Sequence, residues 1–103
     1  MATSLTLDIA PRDRHLHVIA AGEIDLSNID AFKQALASAT AEAARSDSAL
    51  AVDLSGVDYL DSAAINVLYI AAERIDAIIA PPLLMTTLRV SGLAEVIDVE
   101  VAT

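Results

Sequence analysis

Apolar and polar positions along the chain change their period several times, and each change marks an element. Leu5, Leu7 and Ile9 alternate with Thr6 and Asp8, a period of two that predicts a half-buried strand. Pro11-Arg12-Asp13-Arg14 reads as a turn, and His15 to Ala21 as a second strand, most simply a hairpin partner of the first. Gly22 lets the chain leave the sheet, and Glu23-Ile24-Asp25 form the connecting loop. The spacing then turns helical. Ile29, Phe32, Leu36, Ala39 and Ala43 fall on one stripe, with Asp30, Lys33, Gln34 and Glu42 on other faces, which predicts a surface helix running to about Arg45. Ser27 with Asp30 approximates a capping box at its start, and Ser46-Asp47-Ser48 end it.

The centre of the chain is different in kind. Ala49 to Leu54, broken only by Asp53, is an apolar run that suits a strand covered on both faces. Gly56 predicts a turn. Asp61 stands where an N-cap belongs, ahead of Ala63-Ala64-Ile65-Asn66-Val67-Leu68, so Ser62 becomes the first residue of a second helix extending to about Glu73. Its seam is Ile65, Leu68 and Ala72, flanked by Ala64, Val67 and Ala71, while Ser62, Asn66, Tyr69 and Glu73 form one polar stripe. Ile75 to Ala80 reads as a short strand. Pro81-Pro82 stops it and opens a third helix, Leu83 to Val90, with Gly92 as its stop and Leu93 folded back on it. Ile97, Val99 and Val101 alternate with Asp98 and Glu100 in a last strand, whose charges suit a sheet edge. The order β-β-α-β-α-β-α-β predicts a single α/β domain over residues 1–103, helices packed on a mixed sheet, without linker or repeat.

Composition narrows the chemistry. The chain is 55% hydrophobic but only 3% aromatic, so its core must be aliphatic. Its net charge is −9, with only six Lys and Arg, too few and too scattered to displace counterions from a nucleic acid or to hold an anionic membrane. A protein partner with a basic face fits that charge better. Cysteine is absent, which excludes disulfides and thiolate chemistry. Met1-Ala2-Thr3-Ser4 lacks the basic and apolar regions of a leader, and no stretch approaches the roughly 18 apolar residues of a membrane span, so a cytoplasmic location is expected.

Enzyme signatures are missing too. With Gly22, Gly56 and Gly92 the only glycines, no Gly-rich phosphate cradle can be built, and no serine lies in a nucleophile elbow. His15 and His17 share a strand face and could be half of a metal site, but no third histidine exists; an exposed sheet face is the expectation, with no metal and no cofactor. Asp58 and Asp61 could pair as a dyad or hold Mg²⁺, though loop acids and helix caps are the simpler reading. Asp61-Ser62 itself supports two readings. Either Asp61 caps a helix that tolerates a small residue in its first turn, or Ser62 is an acceptor whose anionic modified form suits a helix N-terminus.

The segment Val52-Asp53-Leu54-Ser55-Gly56-Val57-Asp58-Tyr59-Leu60-Asp61-Ser62-Ala63-Ala64-Ile65-Asn66-Val67-Leu68 resembles the signature of the STAS domain, and more narrowly that of bacterial anti-sigma factor antagonists, or anti-anti-sigma factors. Two further blocks match in order: Ala21-Gly22-Glu23-Ile24-Asp25-Leu26 upstream and Leu88-Arg89-Val90-Ser91-Gly92-Leu93 downstream. The chain departs from the family pattern in three respects. The second helix and the next strand are about five residues closer, without the usual intervening Gly, so the helix must be short or the strand displaced. Ala64 stands where Gly is common, and the chain ends at Thr103 without the family's terminal helix.

The resemblance implies a STAS fold and a regulatory role in transcription. An antagonist of this kind binds an anti-sigma factor, itself an ATP-dependent serine kinase, and so releases the sigma factor. The kinase phosphorylates the serine matching Ser62, the complex dissociates, and a serine phosphatase resets it. Glu23, Asp25, Asp58, Asp61, Ser62, Asn66 and Tyr69 are the residues expected to meet the partner, with the chain a monomer or weak homodimer and no enzyme. The alternative is a non-switching STAS scaffold or accessory subunit, in a stress-sensing assembly or a lipid transport complex, with Ser62 only part of a capped helix.

Overall fold

The computed structural model describes residues 4–102; Met1 to Thr3, expected to carry no leader, and Thr103 lie outside the described residues. The elements are β1 (Leu5–Arg12), β2 (His15–Ile24), α1 (Ile29–Ser46), β3 (Ala49–Leu60), α2 (Ser62–Ile70), β4 (Ala77–Ala80), α3 (Pro82–Val90) and β5 (Asp98–Val101), with single 3₁₀ turns at Ala72–Arg74 and Leu93–Glu95. This is the expected order. The strands form one mixed sheet in the order β1-β2-β3-β4-β5. β1 pairs antiparallel with β2, and the other three pairings are parallel. Each parallel pair is crossed by a helix, and right-handed crossovers that always step the same way place all three helices on one face.

The core follows from that placement. Leu16, Val18 and Ala20 of β2 and Leu50, Val52 and Leu54 of β3 point toward the helices and join one buried cluster with Phe32, Leu36, Leu68, Leu84 and Leu88. The stripe expected on α1, Ile29, Phe32, Leu36, Ala39 and Ala43, is buried throughout. On the other face, Ala51, Ala77, His17 and Asp53 are also buried, although no helix covers them; short alanine side chains sit low between longer neighbours. The expectation of an exposed face for the histidines therefore needs correction. His15 is half-buried, but His17 is 7% exposed and its Nδ1 has no hydrogen-bond partner.

Several boundaries also move. β3 does not turn at Gly56 but continues to Leu60, pairing with β2 as far as Ile24 through two register irregularities. Gly56 instead lies close against β2: a Cβ there would come within 3.0 Å of the Cβ of Ala21, tighter than ordinary van der Waals contact. β2 accordingly includes Gly22, Glu23 and Ile24, leaving Asp25 to open the loop. The hairpin turn is tighter than expected. Pro11 and Arg12 belong to β1, and only Asp13 and Arg14, at φ 51° and 73°, make a two-residue turn that matches the twist of its strands. The proposed capping box is absent, because Asn28 rather than Ser27 precedes α1, and it makes no side-chain cap. α2 stops at Ile70, the shortening that the close approach of helix and strand required, and β4 begins at Ala77 rather than Ile75. Pro82 occupies the first turn of α3, and beyond its end Gly92 turns with φ 83° to bury Leu93.

Candidate functional site

The parallel strands β2 and β3 end side by side, Glu23 opposite Tyr59 and Ile24 opposite Leu60. The segments leaving the two strands meet at that point. Asp61 leaves β3 by donating its N–H to the Ile24 carbonyl at 3.2 Å, then caps α2, its Oδ1 accepting from Ala64 N at 3.0 Å. Its second oxygen has another task. Oδ2 accepts from the backbone N–H of Leu26 at 2.9 Å, which ties the β2–α1 loop to the mouth of α2. One carboxylate thus fixes two elements.

The loop is held from its other side by Asn28. Its Oδ1 accepts from Asp25 N at 3.0 Å and its Nδ2 donates to the Glu23 carbonyl at 2.9 Å. The Asp25 carboxylate accepts from the N–H and the hydroxyl of Ser27. Asn28 is the residue that sequence reasoning missed here. An Asn beside a helix start was a visible signal, but its bonds reach backward into the loop rather than forward into the helix.

Ser62 is exposed and is the first residue of α2. Asn66, Tyr69 and Glu73 are exposed along the same stripe, Glu73 from the 3₁₀ turn after the helix, and Tyr69 keeps 46% of its surface accessible. Asp58 is exposed on β3, beside Tyr59. The fold therefore brings Glu23, Asp25 and Asp61 to one corner with Ser62, and runs Asn66 and Tyr69 away from it down the helix. Ser62 also borders an open groove of about 440 Å³ between α2 and α3, shared with Ile65, Thr86, Thr87 and Val90.

Two exposed apolar residues near this corner were not foreseen. Val90 is 83% exposed at the end of α3, and Leu26 is 75% exposed on the loop held by Asp61. Both stand off the buried periodicity of their segments, Val90 off the Leu84 and Leu88 stripe, and that isolation was their sequence signal. The corner is thus acidic, with apolar flanks, beside an exposed hydroxyl at a helix N-terminus. A docking surface can be built from such residues. Among the described residues no group of three or more His, Asp and Glu side chains could hold a metal ion, and no helix is long and apolar enough to cross a membrane.

Comparison with known proteins agrees with this architecture. The family model described as "Mlab, STAS domain" matches residues 7–99. An anti-sigma factor antagonist from Mycobacterium paratuberculosis has a similar structure at 25% identity, with a TM-score of 0.83, over 94% of this chain and 86% of that one. The anti-sigma factor antagonist SpoIIAA, in its unphosphorylated form, superposes with a TM-score of 0.67 at 14% identity, over 95% and 89% of the two chains. An uncharacterised protein of SpoIIAA-like fold from Shewanella loihica gives 0.59 at 12% identity, over 99% and 88%. No curated protein matches the chain in sequence.

Proposed function

The chain belongs to the STAS-domain family, and on that footing we propose that it is an anti-sigma factor antagonist switched by phosphorylation of Ser62. The observation that carries this reading is the exposed Ser62 at the start of α2, beside a loop that Asp61 holds in place. In the unmodified state, Glu23, Asp25, Asp58, Asp61, Asn66 and Tyr69 present an acidic, partly aromatic surface to a basic face of the anti-sigma factor. Binding there displaces the sigma factor. The domain serves as a binding scaffold and as a kinase substrate rather than as a catalyst.

The switching step is a phosphoryl transfer. Ser62 Oγ attacks the γ-phosphorus of ATP bound to the partner kinase, an O–P bond forms, the bond to the β-phosphate oxygen breaks, and ADP departs. The hydroxyl proton passes to a base on the kinase. The product carries about −1.5 to −2 charges and three acceptor oxygens. The positive end of the α2 dipole accommodates that anion with about 0.3–1 kcal/mol, so the fold of the antagonist stays as it is. At the interface the effect is opposite, because the new charge joins Asp61, Glu23 and Asp25 at one corner and repels any phosphate or carboxylate on the partner. A serine phosphatase hydrolyses the ester and restores binding.

The test is affinity for the anti-sigma factor recovered by pull-down from the native cells. Ser62→Ala should bind like the unmodified protein, and Ser62→Asp about a hundredfold more weakly, as a like-charge contact of a few kcal/mol requires. Equal affinities for the two variants would remove the switch and leave a non-switching STAS scaffold. Recovery of a transporter in place of an anti-sigma factor would favour the accessory-subunit role.

A further inference from the structure

The polar stripe of α2 forms a crest, and a second groove runs along its other flank, against α1. This groove, about 370 Å³, does not include Ser62. Its floor is made by the buried side chains of Leu36 and Val67, and Ile70 stands on its rim with 77% of its surface exposed. Lys33 borders it from α1 and Arg74 from the 3₁₀ turn after α2. That placement is notable in a chain with 15 acidic residues and only six Lys and Arg. Arg12 is paired with Asp53, and Arg45 with Glu42; among the described residues neither Lys33 nor Arg74 makes an ion pair.

We propose that this groove docks an acidic amphipathic helix of a protein partner. Apolar side chains one turn apart would lie along the Leu36 and Val67 floor beside Ile70, and carboxylates on the two borders of that stripe would reach Lys33 on one side and Arg74 on the other. Two cations on separate elements call for two anions. A fatty acid has one carboxylate, and in an open trough its acyl chain would remain partly in water. A second copy of this chain does not offer such a stripe from its longest helix, because the apolar face of α1 is already buried against its own sheet. The surface lies apart from the Ser62 corner, and the proposal stands whether or not that serine is switched.

The experiment titrates the isotope-labelled full chain with a synthetic helix of Leu, Ala and Glu, its leucines in one stripe bordered by glutamates, and tracks the amide NMR spectrum. A matched peptide with Lys in place of Glu, and oleate, are titrated in parallel. The acidic peptide should shift the amides of Lys33, Leu36, Val67 and Ile70, and bind at least about tenfold tighter than the basic one. Lys33→Glu with Arg74→Glu should weaken it at least about tenfold, whereas Arg14→Glu with Arg89→Glu, an equal charge change outside the groove, should alter it less than about twofold. Ile70→Ser should weaken binding while leaving the remaining amides unshifted. Equal binding of both peptides, shifts centred elsewhere, no shift at millimolar peptide, or a groove response to oleate alone would each overturn the proposal.

Discussion

Asp61 shows how much one side chain can decide. Its two carboxylate oxygens accept from different parts of the chain, Ala64 N within its own helix and Leu26 N on a loop 35 residues earlier. The first bond was legible in the sequence, because an Asp before an apolar helical run is a local pattern. The second was not, since nothing local to Asp61 announces a partner so far back. The two bonds separate experimentally. Asp61→Ala loses both and should cost about 1–2 kcal/mol in urea denaturation, the usual range for a lost cap. Asp61→Asn can retain the acceptor facing Ala64 but turns an NH₂ group toward Leu26 N–H, so it should lose less stability than the alanine variant. Under the proposed function it should nonetheless weaken partner binding, because the loop carrying Asp25 is released. Unfolding midpoints for both variants, read beside their affinities, check the point; an asparagine variant with full affinity would show that the loop tie does not matter for recognition.

Among the elements, β3 divides what periodicity can see from what it cannot. Up to Leu54 the strand is apolar and buried, and it was recognisable as a strand. Past that point Ser55, Gly56, Asp58 and Tyr59 are exposed, which reads as loop, yet the backbone stays paired with β2. Pairing is non-local, so a change in side-chain pattern concealed it. The helical pattern in the sequence runs past the end of α2 at Ile70 for the converse reason. Ala71 and Ala72 have high helix propensity, but the chain must turn back toward β4, where Asp76 N donates to Leu50 O and the Asp76 carboxylate accepts from Leu50 N. The glycines give a test of such tertiary demands. Gly22, at φ 107°, has no room for a side chain: an added Cβ would lie 2.1 Å from the Ser4 carbonyl oxygen, which accepts the Glu23 N–H. Gly92 also has positive φ, 83°, but nothing lies within 4 Å of its missing Cβ. Gly92→Ala should therefore cost about 1 kcal/mol of backbone strain alone, and Gly22→Ala should cost more, roughly 2–4 kcal/mol with the displaced edge strand. Chemical denaturation of the two variants checks the ranking, and equal losses would mean that Ser4 and β1 yield without cost.

At the scale of the molecule, three helices on one face leave the other face of the sheet to its own side chains, and His17 shows the consequence. It is buried among Ala51, Ala77 and Ile79, with Nδ1 unpaired. Burial pushes its pKa below the ordinary 6.5 and the Arg12 guanidinium pushes the same way; Asp53 pulls upward less strongly, and His15 and Asp13 add smaller, opposed effects. Glu100 borders the same hollow from β5. Because the folded state resists protonation, the unfolded chain binds more protons once the pH falls through 6.5. His17 thus contributes its full stability above that pH, and the contribution is lost as the pH drops toward its lower folded value. His17→Leu removes the titration and also replaces an unpartnered buried nitrogen with hydrocarbon. Its melting temperature should therefore fall less than that of the unaltered chain between about pH 7.5 and 5.5, a window that brackets the ordinary histidine pKa. The histidine reads in the sequence as a residue on an open face. Its burial arises only when the alanines of two neighbouring strands lower the floor around it, so a pH dependence of folding emerges from residues that are not themselves ionisable. Parallel melting curves for the two proteins would assign that dependence elsewhere.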